Sequence, residues 1–238
     1  GLKVTTSGAV TLNEGTNAFS KFQTAGTPAS VNVSNSAALV LAGVSTNNGA
    51  ITVDNGANSI TVDGSINSGT GDIQMTASAI ALGGAAAANV SGNKVKLEAT
   101  NSISSTNIAG NSVTSTADLT LKTDTLSFVT PKPTLTAPRL SIRTSTDDRP
   151  ITVGTTCNGA VTPNCLVVDP ATMTLSVTDL VIGNSTVGDS DTTGDMYIDS
   201  ALSNPSNKII LLGNGKVVQT AGITAGTRTI KMQCQADT

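Results

Sequence analysis

The residues with the most distinctive chemistry are three cysteines and two small groups of carboxylates. Cys157 and Cys165 bracket Asn158-Gly159-Ala160-Val161-Thr162-Pro163-Asn164, where Gly, Asn and Pro favour a turn. In a secreted chain, cysteines this close across a turn favour a disulfide, so Cys157–Cys165 is the expected pair, against two buried thiols, or two free ones in a cytosolic protein. Cys234 is then left over. The alternation in Thr229-Ile230-Lys231-Met232-Gln233-Cys234 puts it on the face of Ile230 and Met232. A buried thiol on the last strand is expected, with a covalent link to another chain as the alternative.

Asp147-Asp148-Arg149, joined by Asp124 and Arg143, would supply the carboxylates and cation of a sugar-cleaving site. Such clefts also use aromatic platforms, and the chain has only Phe19, Phe22, Phe128 and Tyr197; a charged loop is the expected role. Asp189, Asp191 and Asp195, beside Ser190, Thr192 and Thr193, form an oxygen-rich group of the kind that can hold Ca2+. Their spacing matches no EF-hand loop, so a solvated corner is expected. The chain has no His, which removes Ser-His-Asp and Cys-His nucleophile systems and His-based zinc sites. No phosphate-cradling Gly-x-x-x-x-Gly-Lys-Ser/Thr loop occurs. The expectation is no catalytic residue, no cofactor, no metal and no enzymatic activity.

The elements that would position these residues are written in a repeat. Gly49-Ala50-Ile51-Thr52-Val53 returns as Gly71-Asp72-Ile73-Gln74-Met75 and Asn93-Lys94-Val95-Lys96-Leu97. It returns again as Ala117-Asp118-Leu119-Thr120-Leu121 and Gly194-Asp195-Met196-Tyr197-Ile198. Ile51, Ile73, Val95 and Leu119 are separated by 22, 22 and 24 residues, and a second series, Ile60, Ile80, Ile103 and Leu126, by 20, 23 and 23. Two strand signals in step at one repeat length predict a stacked solenoid, each coil covering the next. A third signal per coil, as at Gly64-Ser65-Ile66 and Asn89-Val90-Ser91, makes it three-faced. The expected lumen includes Ile51, Ile73, Val95, Leu119, Ile60, Ile80 and Ile103. Phe19 and Phe22, near one end, would plug the lumen or pack under a loop.

Composition agrees. Charged residues are 12%, about half of the usual ~25%, while Ser, Thr and Asn number 83 of 238. Exposed helix faces draw on Glu, Lys, Leu, Arg and Gln, which are scarce; Val, Ile and Thr suit strands. The 38% apolar content, arranged in short alternating runs, argues against disorder. Net charge is -3 with no basic run, so neither phosphate attraction nor base stacking is provided, and no nucleic-acid partner is expected. No apolar run approaches the 18 residues of a membrane-spanning helix.

One domain over residues 1–238 is expected, with excursions near 129–150 and 157–165. The first follows from Pro131, Pro133 and Pro138, because proline cannot donate to a central ladder. It also follows from the 32 residues between Leu119 and Ile151, about ten more than a coil. The start at Gly1 suggests a processed chain or a fragment.

The runs Gly49 to Val53, Gly71 to Ile73, Leu175 to Asn184 and Asp191 to Ile198 resemble repeats of the filamentous haemagglutinin family, over most of residues 36–235. That resemblance implies a right-handed parallel β-helix in a large exoprotein, exported by a two-partner system and used in adhesion. The family's secretion domain, with its Asn-Pro-Asn-Gly signature, is not found in this chain. The expected function is thus structural or adhesive, as a fibre, matrix or adhesin segment at the bacterial surface or outside the cell. The expected partners are surface molecules of a host or neighbouring cell, or other copies of the chain in an end-to-end filament. A β-helix polysaccharide lyase or hydrolase is the alternative, and a pilus-like subunit completed by a neighbour's strand is the second.

Overall fold

A computed structural model describes residues 1–160, 163–183, 194–204, 208–213, 215–225 and 229–234. Among these residues there are 25 strands, one 3-10 turn at Pro170–Thr172 and no α-helix. Every strand pairing is parallel, and the strands stack into a β-solenoid of about 10 turns. At the ladder spacing this is a rod roughly 45 Å long.

Three faces recur in each coil. The first runs through Val10–Leu12, Val31–Ser34, Ile51–Asp54, residues 73–76, residues 95–98 and Asp118–Lys122. It continues through residues 139–143, residues 179–183, Lys208–Gly213 and Ile230–Cys234. We number these ten rungs in chain order. The second face begins with Leu2–Val4, Lys21–Thr24, Leu39–Leu41 and Ser59–Val62. The third includes Val44–Ser45, Ser65–Asn67, Asn89–Gly92 and Ser112–Ser115.

Because side chains alternate along a strand and the coils stack in register, each inward position becomes a row. Ile51, Ile73, Val95 and Leu119 form one row, continued by Leu140 and Leu180; Ile60, Ile80 and Ile103 form another. All seven expected lumen residues are buried. Each such burial contributes about 1.5–3 kcal/mol. Phe22 fills the lumen between Leu2 and Leu41, and Phe19 packs against it at a centroid distance of 6.0 Å.

The coil boundaries differ from expectation in the middle of the chain. Leu119 stacks on Leu140, not on Ile151, so residues 129–150 are not an excursion. Thr134–Arg143 serves two faces: residues 134–136 extend the third and residues 139–143 the first. Pro138 sits at the bend between them, exposed and outside the aligned pairs on both sides, where its missing N–H disturbs no ladder bond. The enlarged coil is the next one, between Leu140 and Leu180. It places two strands on the second face, Ile151–Val153 and Leu166–Val168, paired in parallel. A parallel pair needs a crossover, and the segment carrying Cys157 and Cys165 supplies it.

The motif at Gly194 also falls elsewhere. Met196–Ile198 pairs with Ile151–Val153 and Val217–Gln219 on the second face, so the pattern marks entry to a strand on more than one face. What these entries share is a close backbone approach. A Cβ on Gly49 would lie 1.6 Å from the Ala29 carbonyl oxygen, one on Gly71 2.3 Å from that of Gly49, and one on Gly194 2.2 Å from that of Asp148.

Candidate functional site

The outer side of the first face is the most chemically concentrated part of the structure. Stacking would bring like charges of adjacent coils into opposition, which destabilises a ladder. The row at the strand entry avoids this by alternation. Asp118, Arg139, Asp179 and Lys208 align on rungs six to nine. Below them Lys94 and Asp72 precede Val95 and Ile73, and Asp72 Oδ1 accepts from the Lys94 N–H at 3.1 Å.

At the strand exit, Glu98 aligns with Lys122, and Lys122 with Arg143. Lys96 Nζ lies 2.7 Å from Glu98 Oε2, and Lys122 Nζ 3.4 Å from Oε1. Partial burial works to raise the Glu98 carboxyl pKa. The hydrogen bond and charge of Lys96, with those of Lys122, outweigh it and hold the group below its ordinary 4.5.

Between the two rows runs a groove of about 300 Å3, lined by Lys94, Lys96, Asp118, Thr120, Arg139 and Arg143, with the buried Ser141 at its floor. On rungs five to seven, Lys94, Lys96, Lys122, Arg139 and Arg143 face Glu98 and Asp118. Five cations against two anions leave this strip at net +3 in a chain of net -3.

This cluster was not singled out from the sequence. Lys94, Asp118 and Arg139 each precede an inward residue of one row, so the signal was the repeat register. Taking Ile151 as the next rung hid Arg139 and put Arg143 beside Asp147 and Asp148 instead of opposite Lys122.

The carboxylates singled out earlier have local partners. Asp124, buried, accepts from the Ser145 N–H at 2.9 Å, the Thr146 N–H at 2.8 Å and the Thr146 hydroxyl. Arg149 Nε is 3.3 Å from Asp124 Oδ2, an ion pair without hydrogen-bond geometry. Asp124 thus anchors the turn that begins at Ser145, whereas Asp147 and Asp148 are exposed. Arg143 lies across the strand exit of the first face, in register with Lys122. Asp195 caps a corner: it accepts from the Lys216 N–H at 3.0 Å and the Tyr197 hydroxyl at 3.2 Å, with Lys216 Nζ 3.7 Å away. Asp189 and Asp191 lie outside the described residues. Among the described residues no group of three metal-ligating side chains is present, and no helix is long and apolar enough to cross a membrane.

Cys157 and Cys165 form a disulfide with a Cα–Cα distance of 5.9 Å. Asn158, next to the bridge, reaches back over the second face. The Asn158 N–H donates to Thr152 Oγ1 at 3.1 Å, and its side-chain amide donates to Asp199 Oδ2 at 2.7 Å. Thr152 points outward, yet it is fully buried. The Cys234 thiol is free and exposed, not buried as expected. Ile230 and Met232 on its strand are 38% and 45% exposed. The alternation was read correctly, but among the described residues no further rung covers that strand.

Compared with protein-family models, curated proteins and solved structures, the chain matches none. The class of protein is therefore set by the fold alone: a parallel β-solenoid.

Proposed function

We propose that this chain is a structural or adhesive rod acting at the bacterial cell surface or outside the cell. The observation that carries the reading is the continuous ladder of rungs whose outward polar groups are mutually engaged. Asp124, Asp195 and Glu98 each hold neighbouring coils together, so their charges serve the scaffold. The resemblance of the repeats to filamentous haemagglutinin supports the same role, as does the disulfide, which persists in oxidising compartments. The partners on this reading are surface molecules of another cell, or copies of the chain joined through the exposed edge at Ile230 and Met232.

Two measurements test it. Beads coated with the protein should be retained on cell or matrix surfaces more than beads coated with an unrelated protein of equal net charge. Equal retention, together with single short rods in negative-stain images, would overturn the proposal. Release of oligosaccharides from acidic polysaccharides would replace it with the lyase or hydrolase reading.

A further inference from the structure

We infer that Asn158 is a self-modification site: the Gly159 backbone nitrogen attacks its side-chain amide, and the carboxylate formed releases Asn158 from the second face. The inference stands apart from the adhesive reading and does not depend on it.

Asn-Gly pairs occur at 48–49, 55–56, 158–159 and 214–215, and Asn214 lies outside the described residues. Lacking a Cβ, glycine leaves its own nitrogen free to approach the preceding side chain. The structure separates the other three pairs. Gly49 is wedged between coils: a Cβ there would lie 1.6 Å from the Ala29 carbonyl oxygen, and Asn48 Oδ1 accepts from the Thr70 N–H of the next coil at 3.1 Å. Asn55 is fully buried with both ends of its amide engaged, and the Gly56 N–H that would attack it donates to Asp54 Oδ1 at 3.0 Å. Neither of those backbones has room to close a ring. Gly159 is exposed, and among the described residues nothing stands within 4 Å of where its Cβ would be.

The Asn158 side chain is also held for the attack. Its Oδ1 accepts from the Ala160 N–H at 2.9 Å, a donor that stabilises negative charge on this oxygen as the carbonyl is attacked. Its Nδ2 donates to Asp199 Oδ2 at 2.7 Å, which fixes the orientation of the amide. A bond forms between Gly159 N and Asn158 Cγ, the Cγ–Nδ2 bond breaks, and Nδ2 leaves as ammonia with the proton from Gly159. Water then opens the cyclic imide to aspartate or isoaspartate. Either product replaces the donor facing Asp199 with a carboxylate. Asp199 is itself held, since its Oδ1 accepts from the Thr220 hydroxyl at 3.0 Å. Two carboxylates at hydrogen-bond distance do not both stay ionised without cost, so at neutral pH the tie between residue 158 and the second face is lost.

The test uses the whole chain with its disulfide intact. The protein is incubated at mildly alkaline pH, folded or in urea, and the peptides carrying Asn48, Asn55 and Asn158 are followed by mass spectrometry for the gain of a single mass unit. In urea the three sites should convert at similar rates. In the folded chain Asn158 should convert at least about tenfold faster than Asn48 or Asn55, a barrier lower by about 1.4 kcal/mol. Equal rates at the three sites in the folded chain, or protection of Asn158 to the level of the other two, overturns the site. Asn158→Asp imitates the product. It should speed proteolytic cleavage within residues 154–169 about tenfold at neutral pH, as expected when a loop tie is lost. Asn158→Asp combined with Asp199→Asn again sets one amide against one carboxylate and should return cleavage toward the wild-type rate. Wild-type cleavage in the single variant, or no recovery in the double one, overturns the release.

Discussion

Asn35 and Asn55 stack one above the other in adjacent coils, the side-chain amide of Asn35 donating to Asn55 Oδ1 at 3.1 Å inside the corner between the first and second faces. Asn35 also donates to the Ala37 carbonyl at 2.7 Å, and the Asn55 amide to the Ser59 carbonyl at 2.6 Å. The pair therefore closes two successive turns from within. Asn55 is fully buried, so Asn55→Ala leaves the Ser59 carbonyl without that donor. The expected cost is about 1–3 kcal/mol, read as a lower urea midpoint. A midpoint within error of wild type would refute the corner's structural role.

The lumen rows set the second expectation. Ile73 is 1% exposed between Ile51 and Val95. Ile73→Asp puts a carboxylate where no partner exists and should abolish folding, whereas Ile73→Val should cost about 0.5–1.5 kcal/mol. Circular dichroism and melting separate the cases; a native-like melt for the Asp variant contradicts the assignment.

Glycine at the strand entry is a requirement of backbone approach. Gly71→Ala places a methyl 2.3 Å from the Gly49 carbonyl oxygen, while Gly15 has nothing within 4 Å. The first substitution should cost about 1–3 kcal/mol through overpacking, and Gly15→Ala should be close to neutral. Denaturant titration of the two variants side by side checks the contrast.

Glu98 makes stability depend on acid pH. Its pKa is lowered in the folded protein, so its contribution is present above the ordinary value of 4.5 and is lost as pH falls through the lower folded value. Glu98→Gln removes that contribution. The variant should be less stable than wild type at neutral pH, and the gap should close well below pH 4.5. Urea midpoints at neutral and strongly acidic pH read it; a gap independent of pH contradicts the ion-pair account.

The disulfide closes a loop between residues eight apart and should contribute about 2–3 kcal/mol by restricting the unfolded chain. Cys157→Ser with Cys165→Ser should lower the melting temperature and speed proteolysis within residues 154–169. Under denaturing, non-reducing conditions the wild type should show one free thiol, that of Cys234; three would remove the pairing.

What was legible in the sequence is what depends on near neighbours. Alternation along Ile73-Gln74-Met75 decides which side chains face inward, and a spacing near 22 between Ile51, Ile73 and Val95 decides that coils stack. Gly and Asn mark the corners, and Cys157 and Cys165 are close enough for the chain itself to bring them together. The tertiary structure decided what depends on which rung a segment occupies. Leu119 could be followed by Leu140 or Ile151 on local grounds; only stacking in three dimensions chose Leu140, left Pro138 at a bend and gave the next coil two strands on one face. The same choice assembled Lys94, Lys96, Lys122, Arg139 and Arg143. Each is unremarkable in its own segment, and their charges meet because parallel coils repeat every ~4.8 Å along the axis, far less than the chain length between them. The exposure of Cys234 was decided in the same way: alternation gives a side chain its face, and only a neighbouring coil can cover it.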